Sequence, residues 1–108
     1  MIKVRLLAAG SGGLYGFVIK GHGSETVCAA VSALAQNAVN SIEKFTGLDF
    51  KFNYKKSGGY YRFEHNKLKK GETASEASLL LNSLALGLRC IQDEYENEIE
   101  IKTEVYDG

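Results

Sequence analysis

Residues 15–47 read YGFVIKGHGSETVCAAVSALAQNAVNSIEKFTG, and the architecture turns on this stretch. Its first six residues predict a strand, with Phe17 and Ile19 on one side under the period of two. The strand stops at Gly21-His22-Gly23. Beyond it Val27, Val31, Leu34, Ala38, Ile42 and Phe45 recur at steps of three and four, which predicts a helix over 26–46 with one apolar stripe. Ser24 or Thr26 is available as its N-cap, and Gly47 as its C-terminal stop.

Working outward, Ile2, Val4 and Leu6 alternate with Lys3 and Arg5, and the run ends at the glycine-rich segment 10–13, so a hairpin joins this strand to the one at 15–20. On the other side Phe50, Phe52 and Tyr54 alternate with polar residues, Ser57-Gly58-Gly59 turns the chain, and Tyr61, Phe63 and His65 return as a second hairpin. A second helix is predicted over 74–96, with Ala77, Leu81, Leu84, Leu88, Ile91 and Tyr95 as its stripe and Thr73 with Glu76 as a capping box. Residues 99–105, with Ile99, Ile101 and Val105 among charged neighbours, predict a fifth strand. The order is ββαββαβ. Helices with one apolar stripe and strands with one apolar face bury both by stacking, so the expected fold is an α+β two-layer sandwich, a mainly antiparallel sheet with two helices on one face. A chain of 108 residues suits one domain, 1–108, rather than two.

Composition narrows the function classes. Thirteen Lys and Arg against thirteen Asp and Glu sum to zero net charge, so no global basic field favours direct nucleic-acid binding. Charge is nevertheless segregated, basic between Lys51 and Lys70 and acidic from Asp93 onward, which suits solvated faces or a polar partner surface. No apolar run is long enough to span a membrane, and the N-terminus does not read as a secretory signal, so a cytoplasmic protein is expected. Cys28 and Cys90 are then expected as thiols, with Cys90 a buried thiol of the second helix. Gly87 within that helix implies close packing against another element or a partner chain. The 10–13 turn is followed by a strand rather than a helix, and lacks the context of a phosphate loop.

The chemistry-bearing pair is His22 and Cys28. A cysteine in the opening turns of a helix meets exposed N–H groups and the positive end of the helix dipole, which favour a thiolate. A histidine on a Gly-flanked turn can supply the base such a nucleophile needs, and free amides of the same helix start can hold an oxyanion. The bland alternative is that Cys28 is a small apolar filler of a helix core and His22 a loop residue. Gly21, Gly23 and Ser32 are the candidate substrate-binding positions beside the pair, although a helical serine also bonds back to its own helix. Two such ligands without further partners do not close a zinc site, so neither metal nor cofactor is expected.

Gly21-His22-Gly23 leading to Val27-Cys28-Ala29-Ala30-Val31-Ser32-Ala33-Leu34 resembles the signature of the ribosomal-processing cysteine proteases, the Prp or YsxB-like family. The resemblance extends to the N-terminal hairpin, the Gly-Gly turn and the Leu-rich second helix running into an acidic segment. It implies a cysteine endopeptidase that removes the N-terminal extension of a large-subunit ribosomal protein, the twenty-seventh, and that forms a homodimer. It also implies that Cys28 is the nucleophile and His22 its partner. Glu25 falls where many members carry an aspartate. Only five residues separate His22 from Cys28, fewer than in better-known members, which implies a more open cleft or a different His-to-Cys distance. The competing expectation is a non-catalytic, ribosome-associated interaction module on the same fold.

Overall fold

A computed structural model describes residues 1–47, 49–72 and 74–106. The strands are β1 (Ile2–Ala8), β2 (Leu14–Lys20), β3 (Phe50–Tyr54), β4 (Tyr60–His65) and β5 (Ile99–Val105), and the helices are α1 (Glu25–Thr46), α2 (Asn66–Lys69) and α3 (Ser75–Glu94). The strands form one sheet in the order β3-β4-β2-β1-β5. Three neighbouring pairs are antiparallel and β5 runs parallel to β1, as a strand returning through a helical crossover does. The α+β sandwich thus forms as expected, with the one-turn helix α2 as an addition.

Cross-strand register places Val4 beside Ile19, Ile19 beside Tyr61, and Phe17 beside Phe63, so these side chains share a face. They join Ile2, Ile99 and the buried residues of α1 and α3 in a single core. Strand β2 departs from simple alternation. Val18 is as buried as Phe17 and Ile19, and β2 is the central strand, flanked by β4 and β1. Gly16 lies close against β4, and a Cβ there would collide with the Phe63 carbonyl.

Ser24 is the N-cap of α1, its hydroxyl accepting from the Val27 amide at 3.3 Å, and Gly47 closes the helix in the left-handed region. The buried stripe of α1 is Val27, Val31, Ala35, Ala38, Val39 and Ile42. Leu34 is only half-buried, and Phe45, expected in the core, is 67% exposed. On α3 the buried residues are Ala77, Leu81, Leu84, Ala85 and Leu88. Cys90 lies two positions beyond Leu88, roughly 200° around the helix, and is exposed rather than buried. Gly87 is explained within the chain: a Cβ there would meet the Leu34 side chain at 3.0 Å, so the glycine lets α3 approach α1. The α3 N-cap is Ala74, without a side-chain bond, and Thr73 of the expected capping box lies outside the described residues.

Candidate active site

The strand ends at one edge of the sheet converge on the start of α1. The tip of β2 passes through Gly21-His22-Gly23 into Ser24, while the 57–59 turn between β3 and β4 lies alongside, tied by a bond from the Gly21 amide to the Gly59 carbonyl at 3.0 Å. A cleft of about 150 Å³ opens between them, lined by Gly21, His22, Cys28, Ser32, Gly58, Gly59 and Tyr61 with their apolar neighbours. His22 and Cys28, six residues apart in sequence, therefore face the same small space. Gly21 and Ser32 line it too, and Gly23 touches the sulfur directly.

The Cys28 thiol is half-buried. The Gly23 amide donates to Sγ at 3.3 Å and the thiol donates to the Gly23 carbonyl at 3.6 Å. Among the described residues no hydrogen bond joins Cys28 to His22. The imidazole is set against Gly59 instead, where a Cβ would stand 2.5 Å from Nε2. Gly59 has φ +82°, so the position demands glycine on backbone grounds as well. The hydroxyl of Ser32 accepts from Tyr61 Oη at 3.0 Å, which links the second turn of α1 to β4.

The helix start holds fewer free donors than the sequence suggests. The Val27 amide is taken by the Ser24 hydroxyl and the Cys28 amide by the Ser24 carbonyl, while the Ser24 amide donates to Glu98 Oε1 at 2.6 Å. Among the described residues this leaves the amides of Glu25 and Thr26 in the first turn. The Glu98 carboxyl is held below the usual carboxylate range, first by the Ser24 backbone N–H, then by the Ser24 hydroxyl. Burial opposes this, and the N-terminal charge adds to it.

Sequence reasoning passed over three of these residues: Gly59, Tyr61 and Glu98. Gly59 carried a signal, since two glycines in a row in a hairpin turn imply positive φ. Tyr61 and Glu98 carried none, because their roles arise only when separate strands meet. No group of three or more His, Cys, Asp or Glu among the described residues is placed to hold a metal, and no helix among them is long and apolar enough to cross a membrane.

The family described as Cysteine protease Prp matches residues 1–100. Among curated relatives, the ribosomal processing cysteine protease Prp of Bacillus subtilis is 26% identical over 97% of this chain and 99% of its own. The protein of that name from Staphylococcus aureus strain Mu50 is 28% identical over 94% and 97%. Among solved structures, the essential ribosomal processing protease Prp from S. aureus with a covalently linked product peptide superposes with a TM-score of 0.85 at 27% identity, over 96% of this chain and all of that one. The same enzyme with a substrate peptide gives 0.84 at 25% identity, with the same coverage.

Proposed function

The chain belongs to the cysteine protease Prp family, and from that premise we propose that Cys28 is its nucleophile, His22 its acid–base partner, and the N-terminal extension of the twenty-seventh large-subunit ribosomal protein its substrate. The observation that carries this reading is the shared cleft, which a cysteine at a helix start and the histidine on the adjoining turn both line. The relatives' names, with a ribosomal processing role and bound substrate and product peptides, support a peptide substrate.

The reaction follows from the parts. The Cys28 sulfur attacks the scissile carbonyl, and negative charge moves to the carbonyl oxygen, for which the Glu25 and Thr26 amides are the available donors. His22 takes the thiol proton as the sulfur attacks and gives it to the departing amine as the acyl-enzyme forms. It then removes a proton from the water that hydrolyses the thioester and returns it to the sulfur as the acid product leaves. The Gly23 N–H, 3.3 Å from the sulfur, holds it in place beside the turn that carries His22. The hydrogen bond between His22 and the sulfur forms with substrate bound, in keeping with catalytic hydrogen bonds that tighten only then. Gly21, Gly23 and Ser32 are the positions we assign to substrate contact, in a cytoplasmic homodimer of one-domain chains that uses no cofactor and binds no nucleic acid directly.

The deciding experiment is cleavage of a peptide spanning the extension and the mature start of that ribosomal protein. Wild type is expected to cut once, and Cys28→Ala and His22→Ala to lose the activity with unchanged circular dichroism. Processing by purified Cys28→Ala at the wild-type rate would remove the nucleophile assignment. Sedimentation at micromolar concentration tests the dimer, and a monomer mass with full activity rejects it.

A further inference from the structure

The segment joining His22 to Cys28 is short, so the separation of the two depends on how residues 21–24 are held. Its first half is fixed by the Gly21 amide on the Gly59 carbonyl. Its second half is fixed from β5, which the sequence places more than seventy residues away. Glu98 stands at the head of that strand, with Oε1 2.6 Å from the Ser24 nitrogen. The Glu98 backbone is itself anchored, since its carbonyl accepts from the Ile2 amide at 2.8 Å and the next residue, Ile99, is 1% exposed. Gly23 passes directly beneath the carboxylate; a Cβ on Gly23 would lie 3.1 Å from Oε1. The peptide that Glu98 grips at the Ser24 N–H is thus the one whose carbonyl, that of Gly23, accepts from the Cys28 thiol, and the peptide before it donates the Gly23 N–H to the same sulfur.

From this geometry we infer that Glu98 is a positioning residue for the protease: its carboxylate clamps the Gly23–Ser24 peptide, keeps the Gly23 carbonyl, and through the Gly23 backbone its N–H, against Cys28 Sγ, and fixes the reach between His22 and Cys28. The inference rests on the proposed roles of Cys28 and His22. It does not require Glu98 to touch substrate. Reach, more than charge, is what the clamp needs. An amide oxygen of the same length can still accept from Ser24, whereas a carboxylate one methylene shorter falls short of a 2.6 Å bond.

Glu98→Gln, Glu98→Asp and Glu98→Ala separate these properties, with kcat and KM for the extension peptide and the rate of Cys28 alkylation by iodoacetamide as readouts. Glu98→Asp and Glu98→Ala are expected to lower kcat about 30-fold with KM within about twofold, the scale of a reacting group displaced by less than 1 Å. Alkylation of Cys28 should slow alongside. Glu98→Gln should retain most of both rates. Glu98→Asp keeps the charge and nearly all the packing, so its result stands even if Glu98→Ala melts early. Wild-type kcat in Glu98→Asp overturns the clamp, and so does Glu98→Gln as impaired as Glu98→Ala. If wild-type cleavage instead survives Cys28→Ala, the nucleophile assignment falls, and the clamp falls with it.

Discussion

At the scale of single residues, two positions were legible in the sequence only as types, and their surroundings give them consequences. Gly59 was readable as a turn glycine, but not as the floor beneath His22. An alanine there must hold φ +82° and put its Cβ 2.5 Å from the imidazole Nε2. The left-handed conformation costs about 1 kcal/mol, and the ring, being mobile, will swing away. Gly59→Ala is therefore expected to lose about 1 kcal/mol in urea unfolding but at least about tenfold in cleavage rate. Equal retention of stability and rate would show that the ring is not held by this turn. His65 read as a strand residue and is one, yet it is fully buried, with Nδ1 accepting from the Leu68 amide at 3.3 Å and Nε2 without a partner among the described residues. Burial above all, and the nearby Lys67 charge, push its pKa down, against an opposing contribution from its own backbone. The folded state therefore binds the His65 proton less readily than the unfolded chain, whose histidine titrates near 6.5. Stability should be full above that value and decline as pH falls through it, levelling off only below the depressed folded value. His65→Asn keeps an N-cap acceptor for α2 and removes the titration. Melting temperatures between pH 7.5 and 5 should fall more steeply for wild type than for His65→Asn, and parallel slopes would assign the acid sensitivity elsewhere.

At the scale of elements, periodicity revealed both long helices and all five strands because each has one dominant apolar face. It misjudged the margins of those faces for a physical reason: a stripe of about 100° is broad enough to admit Phe45 and to exclude Ala35 and Val39, and only packing decides. The burial of both sides of β2 was hidden in the same way, since its place in the centre of the sheet is a property of strand order. The N-cap was visible, with two candidates, and the structure selects Ser24. Ser24→Ala should cost about 1 kcal/mol by loss of the bond to the Val27 amide, while leaving the Ser24 N–H to Glu98 in place. Urea unfolding measures the first effect, and Cys28 alkylation close to wild type is expected for the second. A wild-type unfolding midpoint would mean that Glu98 alone secures the helix start. Gly16→Ala tests the centre of the sheet. Its Cβ meets backbone rather than a side chain that can yield, so β2 and β4 must separate. A loss of about 3 kcal/mol, the upper end of ordinary overpacking, is expected, and a midpoint within experimental error of wild type would show that the two strands part without cost.

At the scale of the whole molecule, the site is built where distant parts of the chain meet. Ile2 pairs with Ile99 in the parallel β1–β5 ladder and lies against Gly21, so the first and last strands begin side by side next to the turn that carries His22. This is why the local half of the site, Gly21 to Ser32, was legible, and the half supplied by β4 and β5 was not. It also makes the last strand a condition for the rest. Ile99 is 1% exposed, and burying one such side chain contributes about 2 kcal/mol. Ile101 adds a partly buried side chain. A chain lacking β5 also opens the edge of β1 along a seven-residue ladder and uncovers Ile2 and Val4 on the core face. Since small domains carry only about 5–15 kcal/mol in total, these losses together approach the whole margin. A chain ended after Tyr95 should therefore show no cooperative urea transition, and its Cys28 should alkylate at the rate of a cysteine in an unfolded peptide. A sharp transition with the wild-type slope would instead mean that four antiparallel strands and their helices close a core of their own, with β5 added only to complete the site.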